Sequence, residues 1–81
     1  MSMEIDVTET LDVKGLNCPM PVVKTKQAID DLGVGEVLEV LATDSGSVSD
    51  IRGWADATPG VELLDQEEGD GVFRHYVERT E

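Results

Sequence analysis

Residues 11–29 read LDVKGLNCPMPVVKTKQAI, and the hydrophobic period changes inside that stretch. Before Gly15, Leu11 and Val13 alternate with polar neighbours and extend the spacing of Ile5 and Val7, broken only by Glu9 on the same parity. A period of two is the mark of a strand, and the pattern is strongest from Thr10 to Lys14. From Pro19 onward the spacing becomes three and four: Val22, Thr25, Ala28/Ile29 and Leu32 share one face of a helix. Gly33 stands just past the last turn, where helices commonly end. Pro19 and Pro21 both suit a first turn, because the N–H they lack would have no partner there. Pro19 also drives the residue before it out of the α region. The stretch therefore predicts strand, turn and helix, with Cys18 at or just before the N-cap.

Working outward, EVLEVLAT (36–43) is a second strand, short, rich in Val and Leu, and central. Asp44 to Ser47 supply candidate N-caps, and Ser47-x-x-Asp50 resembles a capping box with Asp in place of Glu. Val48, Ile51, Trp54 and Ala55 form the stripe of a second helix, stopped by Pro59-Gly60. Gly53 inside it either permits close packing or weakens the helix. VELLDQ (61–66) and VFRHYVER (72–79) are strands joined by a tight turn at Gly69-Asp70-Gly71. The order β-α-β-α-β-β predicts a two-layer α/β (α+β) sandwich: a mixed four-stranded sheet with two helices packed on one face. A right-handed crossover makes strands one and two parallel, and the terminal hairpin is antiparallel. The chain has 81 residues and no linker or repeat, so residues 1–81 form a single domain.

Charge narrows the function. Eighteen Asp+Glu stand against six Lys+Arg, a formal net charge of -12. Phosphate backbones and anionic membranes are repelled by such a surface, so direct nucleic-acid and membrane roles are not expected. The acid is spread along the chain, as on a solvated, self-repelling surface, and is compatible with a high-salt cytoplasm. No apolar run reaches the roughly 20 residues of a membrane span, and MSMEIDVTET lacks the basic and apolar regions of a signal peptide. A lone cysteine cannot close an internal disulfide, which points to a reducing, cytoplasmic location.

The chemistry converges on that cysteine. A helix N-terminus carries about half a positive charge and free backbone N–H groups, so an anionic sulfur there is stabilised. Between Asp12 and Asp30 there is no acidic residue, and all three lysines, Lys14, Lys24 and Lys26, fall in that interval. The local positive charge opposes the general negative field that would raise a thiol pKa. The bland alternative is a small buried hydrophobe, the commonest state of a free cysteine. Met20 is placed near the thiol, or simply covers the helix start. Trp54 shares the core stripe. His75, the one histidine, lies in the last strand, where a half-exposed filler is the ordinary role, and a Cys–His pair is open only in principle. There is no zinc or iron–sulfur spacing and no Cys-x-x-Cys, so no metal or other cofactor is expected. One activated thiol without base, metal or second thiol can carry a group: it can take sulfur from one protein's persulfide and hand it to another's thiolate.

These residues resemble the signature of the TusA/SirA-like sulfur-carrier family, whose core is Cys-Pro-x-Pro at the start of the first helix. Here it is Cys18-Pro19-Met20-Pro21, complete. Leu11-Asp12, Gly15-Leu16, Gly35-Glu36, TDSGSVSDIRGW (43–54) and GVELL (60–64) are also similar, so the likeness runs over about residues 9–79. The resemblance implies the same two-layer sandwich and a sulfane sulfur carried covalently on Cys18, with Pro19, Met20, Pro21, Lys14 and Lys24 as supporting residues. It implies a cysteine desulfurase or other sulfur donor and a downstream acceptor protein, feeding tRNA thiolation, molybdenum-cofactor supply or sulfur oxidation. Two family prolines are replaced, one by Ser45-Gly46 and one by Arg52, which alters the start of the second helix and leaves the thiol motif untouched. Two other classes stay open at this point: a regulatory or adaptor module that binds a partner without transferring sulfur, and a redox sensor that forms an intermolecular disulfide.

Overall fold

The computed structural model describes residues 5–17 and 19–81. The elements are β1 (Glu9–Asp12), α1 (Met20–Asp30), β2 (Val37–Ala42), α2 (Ser47–Ala57), β3 (Val61–Gly69) and β4 (Val72–Arg79). They form a four-stranded sheet in the order β1-β2-β4-β3. β1 runs parallel to β2, and β4 runs antiparallel to both β2 and β3. The sheet is mixed, as the element order predicts.

Alternation along β2 sorts its two faces. Leu38, Val40 and Ala42 are buried beneath the helices, together with Val77 of β4, Ile51 of α2, Ile29 of α1, and Val13 and Leu32 from the connections. The other face of the sheet carries Thr10, Glu39 and Tyr76 in one cross-strand row. There the Tyr76 hydroxyl donates to Glu39 Oε2 at 3.0 Å, and the Thr10 hydroxyl donates to Glu39 Oε1 at 3.0 Å. Desolvation first, then the bond to the Glu39 carboxylate, push the Tyr76 hydroxyl up to about 12.

Several boundaries differ from the sequence expectation. β1 is Glu9–Asp12, not Thr10–Lys14, and the alternation at Ile5 and Val7 is not a strand. The reason is the length of its partner. The Thr8 N–H already meets Val37 O, at the first residue of β2, so no β2 backbone remains for residues 5–7. At the other end the Val13 N–H still reaches Leu41 O, but Gly15 turns the chain away.

α1 ends at Asp30, three residues before Gly33. Its C-terminal cap is supplied from β4: Arg79 Nη1 donates to the carbonyls of Ile29, Asp30 and Leu32. A guanidinium on the last carbonyls satisfies acceptors that a helix leaves open and suits the negative end of its dipole. The buried stripe of α1 is Pro21, Thr25 and Ile29, each four apart, with Val22 and Ala28 at its edges. The Thr25 hydroxyl is fully buried and donates to Pro21 O at 2.7 Å.

The capping box at Ser47 does not form. Gly46 is the N-cap of α2, without a side-chain bond, and Ser47 is the first helical residue. Asp44 is not the cap either; it closes the turn before the helix, its Oδ1 accepting the Gly46 N–H and its carbonyl accepting the Ser47 N–H. Gly53 faces open space, so it serves no close packing and only weakens α2. β3 continues to Gly69, beyond Gln66, because pairing with β4 zips down to a two-residue turn. Asp70 and Gly71 occupy that turn at φ 56° and 79°, the mirror-image turn that Asp-Gly favours and that matches strand twist.

Candidate functional site around the first helix start

β1 and β2 are parallel, and each is followed by its helix, so α1 and α2 both begin at the carboxyl edge of this strand pair. Ligand and reaction sites of α/β folds gather at that edge, since loops and helix N-termini meet there. The loop out of β1 is held tightly. Leu16 N–H returns to Val13 O at 3.2 Å, closing a four-residue turn, with Gly15 at its third position and φ 83°. A side chain there would strain the backbone. The Gly15 N–H reaches across to Thr43 Oγ1, just past β2, at 2.9 Å. Val13 is buried and Leu16 half-buried against the core, which anchors the loop from beneath.

α1 then starts on its prolines. Pro19 is the N-cap, at φ -96° and ψ 11°, with no side-chain bond, and Pro21 lies in the first turn. The Met20 N–H donates to Asn17 O at 2.9 Å, and the Val23 N–H to Pro19 O at 3.1 Å. Cys18 lies outside the described residues; both of its covalent neighbours are described. Pro19 is exposed, and Met20 and Val23 are 39% and 38% exposed, so Met20 is not a cover buried over the helix start. Pro21 points the other way and is fully buried. The two prolines thus divide the work, one capping at the surface and one fixing the helix to the core.

The lysines are less uniform than their spacing in the sequence. Lys14 sits in the turn after β1, its Nζ 3.8 Å from Asp12 Oδ2 and its backbone N–H on Asp12 Oδ1 at 2.9 Å. Part of its charge is therefore spent on the acid that bounds the lysine-only segment, in a pair worth little at an exposed site. Among the described residues this is the one ion pair. Lys24, one turn beyond Met20, and Lys26 are both exposed. Among the described residues no three His, Asp or Glu side chains converge in a group fit to hold a metal ion. A recess of about 650 Å³ lies between α2 and β3, lined by residues such as Arg52, Asp56, Thr58 and Glu62, away from the motif.

His75 overturns the half-exposed reading. It is 0% exposed, with Nε2 3.1 Å from Ser47 Oγ and Nδ1 3.1 Å from Gln66 Nε2. The Gln66 amide nitrogen also donates to Val48 O at 2.9 Å, and its oxygen accepts from Arg52 Nη2 at 3.0 Å. That orientation makes Nδ1 an acceptor, so the ring is neutral and its Nε2–H donates to Ser47. Both nitrogens are committed, and the ring is not available as a base for the motif thiol. Burial pushes the His75 imidazole below its ordinary 6.5. Folding then favours the neutral ring, so its contribution is complete above about pH 6.5 and is lost as pH falls from there toward the folded value. Thermal unfolding from about pH 8 to about pH 5 should show this loss, and His75→Gln should flatten that part of the curve.

A family model described as Sulfurtransferase TusA matches residues 9–79, nearly the whole described fold. The chain belongs to the TusA family. It is 74% identical over 80 residues to a protein of Halobacterium salinarum provisionally named a sulfur carrier, covering 99% of each chain. The sulfur carrier protein TusA of Allochromatium vinosum is 39% identical over 75 residues, 93% of this chain and 97% of that one. The crystal structure of a SirA-like protein from Desulfitobacterium hafniense superposes with a TM-score of 0.73 at 30% identity, over 91% of this chain and 100% of that one. This TusA-family chain is thus a sulfur carrier, which requires a donor and an acceptor of sulfur.

Thr43 escaped the sequence reading. It lies at the end of an apolar strand and inside the family-like stretch, but only the fold shows that its hydroxyl is spent on Gly15, 28 positions earlier.

Proposed function

We propose that Cys18 carries sulfane sulfur between two partner proteins in the cytoplasm, one of them a cysteine desulfurase or comparable donor. The observation that carries this reading is the bond between Cys18 and Pro19, the N-cap of α1. It ties the thiol to the positive end of a helix that has no acidic residue in its first turn. The α2 start lies at the same edge of the sheet, but there Asp50 in the first turn and Asp44 on the Gly46 N–H set carboxylates against the helix dipole, so the α1 start is the cationic end of the pair. The exposure of Pro19, Met20 and Val23 fits a thiol that must enter another protein's active site.

In the loading step the Cys18 thiolate attacks the outer sulfur of the donor persulfide. A new S–S bond forms on Cys18, the donor's S–S bond breaks, and the donor leaves as a thiolate with the electron pair. The proton stays on the transferred sulfur, and no external oxidant or reductant is consumed. In the unloading step an acceptor thiolate attacks the same outer sulfur, and Cys18 leaves as the thiolate that the helix start stabilises. The carrier feeds tRNA thiolation, cofactor synthesis or sulfur oxidation according to its acceptor. Incubation with a cysteine desulfurase and cysteine, followed by intact mass, should add one sulfur atom to the chain, removable by a reductant. No added mass, under conditions where another TusA-family carrier loads, would overturn the proposal.

A further inference from the structure

We propose that His75 is a proton-controlled pin for the start of α2: the neutral ring holds the first turn of that helix on the sheet, and the protonated ring releases it while the rest of the fold stands. Among the described residues two side-chain bonds tie this turn down. His75 Nε2–H donates to Ser47 Oγ at 3.1 Å, and Gln66 Nε2 donates to Val48 O at 2.9 Å. The N-cap, Gly46, adds no side-chain bond. The orientation of Gln66 is fixed by its other partners. Arg52 is purely a donor and the Val48 carbonyl purely an acceptor, so Oε1 faces Arg52 Nη2 and Nε2 faces Val48 O. His75 Nδ1 therefore meets an NH2 group, at 3.1 Å. A proton on Nδ1 sets donor against donor. Turning the amide over satisfies Nδ1–H, but sets Oε1 against Val48 O and Nε2 against the Arg52 guanidinium. Neither orientation serves the charged ring, and a buried donor left unmet is costly.

The mismatch is relieved on the side that yields. His75 and Gln66 are a registered pair of the β3–β4 ladder, whereas Ser47 and Val48 are the first residues of a helix. Beyond them α2 stays seated through Ile51 and Ala55, both buried. Outside Gln66 a recess of about 190 Å³, lined by Val48, Arg52, Gln66, Glu67, Glu68 and Phe73, gives the released turn room and water. The other groups around the ring offer the proton no counter-charge. Its partner on β2 is Val40, its neighbours on the same face of β4 are Phe73 and Val77, and α1 buries Pro21, Thr25 and Ile29. Arg52, reached through Gln66, opposes a second positive charge. Glu67 and Glu68 lie at the outer rim, and Asp44 and Asp50 stand beside Gly46. Burial places the release below pH 6.5.

Proton NMR of the ring in the full chain gives the His75 midpoint, and amide hydrogen exchange is then compared at about pH 7.5 and about one unit below that midpoint. The Asp50 N–H bonds Gly46 O, and those of Ile51 and Arg52 end on the next two carbonyls of the turn. Below the midpoint these amides should lose nearly all protection, while those of Thr25 and Ile29 in α1 keep about a hundredfold or more. His75→Gln, which cannot titrate, should keep the α2 amides protected at both pH values. Gln66→Met, which removes the bond to Val48, should lower their protection already at about pH 7.5, by about fivefold. Wild-type α2 amides that stay protected below the midpoint overturn the pin. So does loss of α1 and α2 protection together, which is global acid unfolding. Loss at the same pH in His75→Gln assigns the change to Asp44 or Asp50 and overturns it as well, and so does wild-type protection in Gln66→Met. Should His75→Gln fail to fold, wild type and Gln66→Met still decide.

Discussion

Cys18→Ser is expected to abolish sulfur uptake, with no added mass at any incubation time, while the fold and its unfolding midpoint stay close to wild type. Serine retains the shape of the side chain. Its hydroxyl is scarcely ionised at neutral pH and cannot form a persulfide, so the loss is complete and not graded. Among the described residues the scaffold is held by other groups: Pro21 is buried, Thr25 bonds its carbonyl, and Leu16 and Val13 hold the loop from below. The same variant separates the carrier from the adaptor, one of the two other classes that sequence left open. A carrier loses its cellular role with Cys18→Ser. An adaptor that binds a partner without transferring sulfur retains it, and that outcome would count against sulfur transfer as the function.

Ile51→Ala should produce the largest loss of stability of any single truncation in the helix layer. Ile51 is 0% exposed and belongs to the cluster that joins α2 to Val40, Ala42 and Val77 of the sheet. Truncating a buried isoleucine costs about 2–5 kcal/mol, from lost transfer energy and the cavity left behind. Domains of this size have about 4–12 kcal/mol in total. The midpoint of thermal unfolding should therefore fall by about 10 °C or more. A fall below about 2 °C would mean that α2 is not seated on the sheet as described.

Much of this was legible in the residues because local chemistry and the fold agree. Asp70-Gly71 demanded a mirror-image turn and the hairpin has one. The shift from alternation to helical spacing after Gly15 marked the first crossover, and β1 and β2 pair in parallel. The misses share a cause: each is settled by a partner far away in sequence. Arg79 ends α1, where Gly33 stood as the local signal. Ser47 turns inward to His75 and abandons the cap that its spacing to Asp50 suggested. His75 is buried because Ser47 and Gln66 satisfy both ring nitrogens, which no pattern within β4 reveals. At the site, the helix start at the two prolines was readable from their missing N–H groups. The Thr43 tie and the partial neutralisation of Lys14 by Asp12 were not, because both depend on how the β1 loop folds back.

The most direct measurement is the alkylation rate of Cys18 in the folded protein across pH, compared with the same chain unfolded in urea. A thiolate held by the α1 amides gives a folded midpoint well below the ordinary thiol value of about 8.5, returning toward it on unfolding despite the net charge of -12. A folded midpoint at or above about 8.5, or a thiol that reacts only after unfolding, would contradict a helix-stabilised carrier sulfur.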